Sequence, residues 1–242
     1  SSAQGAETTG VDAERPILEV CDLAKSYRAP GGELVVLRHL DLSVNRGTIL
    51  AIVGVSGVGK STLLNILGTL DRPDHGTVTI RGERVDHLPE PELARFRARR
   101  LGFVFQFHHL LPEFTAEENV MMPLLVAGQD PERARTRARA VLAGVGLTSR
   151  WEHRPAQLSG GEAQRGAVAR ALAPKPDLVL ADEPSGDLDP AGAQGLHDLI
   201  ATLARERRQT FVIVTHNDRL ARVAHRVMRL SDGRLATESG EE

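Results

Sequence analysis

Cysteine is almost missing from this 242-residue chain. Cys21 stands alone, so no internal disulfide can form and no zinc-type cysteine spacing exists. A single thiol suits a reducing compartment. Long apolar runs are missing too. None approaches the roughly 20 residues that cross a bilayer, so the chain is expected to be soluble by itself. Any work at a membrane would be done from the surface, through a partner. No charge sign dominates: Lys plus Arg number 30, Asp plus Glu 32, and the formal net charge is −2. That near-neutrality gives no global case for binding nucleic acid. The first sixteen residues are polar and have no apolar centre, which excludes a signal peptide. They are expected to be a disordered tail or a cloning remnant, and residues 239–242 a second short tail.

What is present alternates. Residues 17–23, 34–37 and 40–44 read as strands, with a turn at Gly31 and Gly32 after the first. Residues 48–53 (TILAIV) form a continuous apolar run, as in a strand buried on both faces. A Gly-rich loop and a helix over 60–67 follow, then strands over 76–81 and 101–105. The middle, about 115–173, changes to a helical pattern. Ala138, Val141, Leu142 and Val145 share one helix face, and Asp130 with Pro131 reads as an N-cap and first-turn proline. Strand–helix alternation then returns: strand 178–181, a helix after Asp189 and Pro190, and strands 210–215 and 226–230. This pattern implies an α/β core interrupted by a helical insertion. Arg133, Arg135, Arg137 and Arg139 are expected on a solvated helix face, and Trp151 in packing.

Residues 54–62 read GVSGVGKST. Gly54, Gly59, Lys60 and Ser61 hold the fixed places of the phosphate-loop pattern G-x-x-x-x-G-K-[ST]. Glycines let the backbone turn several N–H groups toward phosphate oxygens, and the helix that follows adds its positive end. The whole stretch, Gly54, Val55, Ser56, Gly57, Val58, Gly59, Lys60, Ser61 and Thr62, is therefore the candidate ATP cradle. Lys60 supplies a full charge, and the Ser61 hydroxyl can ligate Mg²⁺. The apolar run LVLADEP at 178–184 ends in two carboxylates. Asp182 is placed to hold Mg²⁺ through water, and Glu183 is the candidate base for an attacking water. GTPases share such a cradle, but no N-K-x-D guanine-reading motif occurs.

The motif LSGGE, formed by Leu158, Ser159, Gly160, Gly161 and Glu162, resembles the signature of the ABC ATPases, usually LSGGQ. It lies between the cradle and the Asp182 strand, as in that family. The resemblance covers about 17–238. It implies a RecA-like P-loop NTPase core of α/β class, an antiparallel β subdomain, and a helical subdomain inserted at about 107–175. It also implies roles. Tyr27 would stack on adenine, Gln106 would touch metal and water, Asp187 and Asp189 would form the D-loop, and His216 would contact the γ-phosphate. The cofactors implied are ATP and Mg²⁺. Ser159 to Gly161 precede an expected helix over 162–171, which makes a second anion site. The family unites both sites by pairing two copies head to tail around two ATP molecules, an isologous dimer. Glu162, Ala163 and Gly166 depart from the commoner residues, and Gly166 costs about 1 kcal/mol in a helix unless packing needs it.

Residues 103–125 (FVFQFHHLLPEFTAEENVMMPLL) resemble the lipoprotein-releasing branch of this family. Macrolide and toxin exporters and a regulatory cell-division ATPase stand as alternatives. The implied partners are two integral membrane subunits, received at the Gln106 region and the helical subdomain, with no nucleic acid. The implied location is the cytoplasmic face of the bacterial inner membrane. Phe107, Leu110, Leu111, Phe114, Met121 and Met122 are expected to line the receiving groove with adaptable apolar side chains.

Overall fold

A computed structural model describes residues 15–30 and 32–238. The expected tails, and Gly31 of the first turn, lie outside the described residues. Two sheets organise the chain. The first is antiparallel, in the order β2-β1-β4-β5, from β1 (Leu18–Ala29), β2 (Gly32–Val44), β4 (His75–Ile80) and β5 (Glu83–Arg84). The second runs β10-β9-β3-β8-β7-β6. It uses β3 (Ile49–Val53), β6 (Leu101–Val104), β7 (Leu178–Asp182), β8 (Thr210–Thr215), β9 (Arg226–Ser231) and β10 (Arg234–Thr237). Its strands pair in parallel except for the antiparallel edge β10.

Every residue of β3 and of β8 is buried, because both faces of this sheet are covered. One face packs with the antiparallel sheet and with α1 (Lys60–Leu67) through Leu18, Leu37, Ile52, Leu63, Leu67 and Val214. The other face carries α3 (Ala116–Val126), α4 (Pro131–Gly144), α5 (Gly160–Leu172) and α6 (Pro190–Arg207). Those helices start where the sequence offers caps. Thr115 with Glu118 and Ser159 with Glu162 close capping boxes. Asp130 accepts from the N–H groups of Glu132 and Arg133, and Asp189 from that of Gly192.

Two readings change, and several elements escaped the sequence. The two short strands expected over 34–44 are one strand, β2, because His39 takes a positive φ of 45° and absorbs the irregular pairing with β1. Helix α2 (Glu90–Arg100) was not legible, since only Leu93 and Phe96 are buried on it. β5, β10 and the four-residue α7 (Asp218–Ala221) were also missed, being short or at edges. The arginine face is not wholly solvated. Arg137 is half-buried and donates to the carbonyls of Leu172 and Ala173, completing the end of α5. Arg139 pairs with Glu117 and lies over the Trp151 ring, 4.6 Å from its centre.

Helix α5 crosses β6 at Gly102, where an added Cβ would stand 2.7 Å from the Ala171 carbonyl oxygen. On the same helix, a Cβ at Gly166 would meet Leu110 Cδ1 at 3.3 Å. Close packing thus accounts for a glycine that helix propensity alone disfavours.

Candidate functional site

The carboxyl ends of four neighbouring parallel strands supply the site. β3 runs into the Gly54 loop, β6 into Gln106, β7 into Asp182 and Glu183, and β8 into Thr215 and His216. Ligands of open parallel sheets bind at this edge. A cleft of about 520 Å³ opens there. It gathers Tyr27, Ser56, Gly57, Gly59, Lys60, Ser61, Thr62, Gln106, Asp182 and Glu183. Sequence reasoning named all of these. Val36, Phe105, Phe107 and His109 line the same space; the sequence assigned Phe107 to the receiving groove and gave none of the four a place at the cleft.

The cradle is built by backbone. Gly59 caps α1 with φ 108°, and Gly57 also has positive φ, at 78°. The Lys60 ammonium is buried and donates to the carbonyls of Gly54 (2.7 Å) and Val55 (3.0 Å). An ammonium has three protons, so one remains for a phosphate oxygen. Val55 itself is exposed, and neither it, Val58 nor Gly54 lines the cleft. Burial pushes the Asp182 carboxyl above its ordinary range. The Ser61 hydroxyl and Lys60 pull it back down, while the charge of Glu183 adds to the rise. A divalent cation would lift that penalty. Hydroxyl, carboxylate and amide oxygens from Ser61, Asp182 and Gln106 are the hard donors that Mg²⁺ takes.

Glu183 is held by its neighbour strand. Its φ is 45°, an uncommon backbone state for such a residue. One carboxylate oxygen accepts from Thr215 Oγ1 (2.9 Å) and the His216 N–H (3.2 Å). The other lies 2.7 Å from His216 Nδ1. Thr215, one residue before the histidine, is a further site residue that sequence reasoning overlooked. Tyr27 is half exposed at the far side of the cleft, and its hydroxyl donates to Asp71 at 2.6 Å.

The LSGGE motif does not line this cleft. Ser159 caps α5: its hydroxyl accepts from the Glu162 N–H at 3.2 Å, and Glu162 accepts from the Ser159 N–H at 2.8 Å. Glutamine at 162 would close the same box, which explains why glutamate is tolerated. Arg150 Nε also donates to Glu162, at 3.0 Å. These bonds, that of the Ser159 backbone first, depress the Glu162 carboxyl from 4.5 to about 2. A depressed acid contributes stability that is whole above pH 4.5 and is lost as pH falls through about 2. The melting temperature of the protein is therefore expected to fall faster across that window than that of Glu162→Gln. Parallel melting curves against pH check it. Asp187 is exposed, and Asp189 is spent on capping α6.

A cradle, two carboxylates at the next strand end, a histidine on the strand beyond and a capped LSGGE helix between them form one constellation, and the sequence profile described as ABC transporter matches residues 37–186. The chain belongs to the ABC transporter family. It is an ATP-hydrolysing cassette with the P-loop core and antiparallel β subdomain of that family. Among relatives, the lipoprotein-releasing system ATP-binding protein LolD of Geobacter metallireducens is 52% identical over 222 residues, covering 92% of this chain and 99% of that protein. The LolD of Bacteroides thetaiotaomicron is 53% identical over 204 residues, covering 84% and 94%. A solved dimeric bacterial ABC transporter cassette superposes with TM-score 0.82 at 37% identity, over 93% of this chain and all of that one. A post-hydrolysis dimer bound to ADP and Pi superposes equally well, at 36% identity with the same coverage.

Among the described residues no helix is long and apolar enough to cross a membrane. An exposed apolar strip lies beside Gln106 instead: Phe107 is 58% exposed, Leu111 40% and Phe114 38%. Leu110 and Met121, expected there as well, are internal. Met121 lies on the inner face of α3, and Leu110, in the loop before it, packs against Ala163 and Ala167 of α5. Leu125 and Val126, at the end of α3, are exposed and were not foreseen.

Proposed function

We propose that this cassette powers release of lipoproteins from the bacterial inner membrane, as the ATP-hydrolysing subunit bound peripherally at the cytoplasmic face. One observation carries the chemistry: Glu183, with its carboxylate oriented by Thr215 and His216, shares a cleft with Lys60 and Asp182. Likeness to LolD proteins along nearly their whole length supports the cargo.

In this reading Gly54 to Thr62 wrap the phosphates, Lys60 neutralises their charge, and Tyr27 offers its ring to adenine. Ser61, Asp182 and Gln106 would hold Mg²⁺, Asp182 through water. When bound, the ion would neutralise charge on the terminal phosphates. Glu183 accepts a proton from water as its oxygen attacks the γ-phosphorus. The bond to the β–γ bridging oxygen breaks, and ADP leaves. His216 holds Glu183 in place and faces the γ-phosphate. Two copies pair head to tail, and Leu158 to Glu162 of each close on the nucleotide of the other. The D-loop residues Asp187 and Asp189 lie at that interface. Residues 107–175 form the helical subdomain of a domain spanning 17–238. Two integral membrane subunits dock on it at the strip of Phe107, Leu111 and Phe114. No nucleic acid is bound.

The test is purification from membranes in mild detergent. The expected result is recovery of the chain with two integral membrane subunits and a bound lipoprotein. Recovery with membrane subunits that carry a small-molecule exporter's cargo, or none, would overturn the lipoprotein assignment.

A further inference from the structure

The signature helix carries an electrostatic conflict. The N-terminus of α5 presents N–H groups and a positive dipole end, which favour an anion. Glu162, in its first turn, places a carboxylate at that same end. Such an acid stabilises the helix, and by the same charge it repels any second anion brought there. A glutamine would close the box with Ser159 without that repulsion. Here the opposing charge comes from Arg150, on the turn after α4. Its Nε reaches Glu162 at 3.0 Å, and its other edge meets His153 Nε2 at 3.3 Å, so the guanidinium is held from two sides. Arg165 also comes close to Gly161 but makes no ion pair with Glu162 among the described residues.

We propose that Arg150 is a positioning residue for ATP-driven pairing, neutralising Glu162 so that the Ser159 end of α5 can receive a triphosphate held by a second copy of this chain. The proposal rests on the head-to-tail reading above. Arg150 touches no phosphate itself. It acts through the carboxylate, so it becomes dispensable once the charge at 162 is gone.

A double-mutant cycle in the full chain tests this. In a Glu183→Gln background, ATP is titrated with Mg²⁺ and the dimer fraction is read by sedimentation. Arg150→Ala is expected to raise the ATP midpoint about tenfold, and adding Glu162→Gln to restore it to within about threefold of the parent. Arg150→Gln, which keeps a donor but no charge, is expected to weaken pairing like alanine and serves should the alanine variant fail to fold. A loss that Glu162→Gln does not rescue would reduce Arg150 to support of its loop and overturn the proposal. So would an unchanged midpoint in Arg150→Ala. Should the parent fail to pair at any ATP concentration, the head-to-tail reading itself falls, and the proposal with it.

Discussion

Glu183→Gln is expected to bind ATP, to lose turnover by about a hundredfold or more, and to accumulate as an ATP-bound dimer. General-base catalysis contributes on the order of 10²–10⁴ in rate, and no other carboxylate besides Asp182 lines the cleft. Asp182 is assigned, with Ser61, to the cation rather than to the water. The geometry of the variant should survive. The glutamine carbonyl can still accept from Thr215 and the His216 N–H, the two bonds that one Glu183 oxygen makes. Its amide can donate to His216 Nδ1, which lies 2.7 Å from the other oxygen. Only the basic lone pair is lost. Steady-state phosphate release, nucleotide binding and sedimentation measured on one preparation separate these outcomes. Normal hydrolysis would strip Glu183 of its role.

Gly59→Ala should remove nucleotide binding by a different route. The backbone at 59 has φ 108°, a state that L side chains rarely adopt, and an added Cβ would lie 2.7 Å from Val36 Cγ1 and 3.3 Å from Leu37 Cδ2. The methyl would therefore push β2 away from the loop while twisting the peptide that opens α1. Strain of this kind costs about 1–3 kcal/mol, which in a chain of this size lowers the melting temperature by several degrees. ATP affinity is expected to fall by about two decades, because the N–H groups that face phosphate depend on that turn. Gly82→Ala is the matched control. It has φ 77° with nothing within 4 Å and lies outside the cleft. It should lose stability yet keep its ATP affinity. Equal affinity loss in both variants would mean that the cradle has no special dependence on Gly59.

Most of the core was legible because its signals are local. The apolar run before Gly54 is β3, the helix over 60–67 has the bounds of α1, and the strand over 210–215 is β8. The cleft residues were legible because their spacing reflects phosphate geometry rather than fold. What escaped was set by tertiary contact. Nothing in its own neighbourhood distinguishes Arg137 from Arg133, yet one caps α5 and the other is exposed. Leu110 and Leu111 are chemically identical neighbours, and the packing of the first against Ala163, Gly166 and Ala167 of α5 decides which is buried. Thr215 gained its role from a strand partner 32 residues away in sequence. The Arg150–Glu162 pair likewise joins a turn to the start of α5, which periodicity does not relate.

Helix α5 touches β6 and the segment leading out of it at three heights: Ala171 against Gly102, Gly166 against Leu110, and Gln164 Nε2 on the Phe105 carbonyl at 2.7 Å. Three fixed points along one rod of 13 residues leave little slack between them. A shove delivered beside Gln106 would reach α5 through these contacts. If it tilted the rod, the far tip, Ser159, would swing through the largest arc. The molecule thus contains a lever about 20 Å long, with its handle where a membrane subunit would press and its working end where a neighbouring copy's triphosphate would arrive.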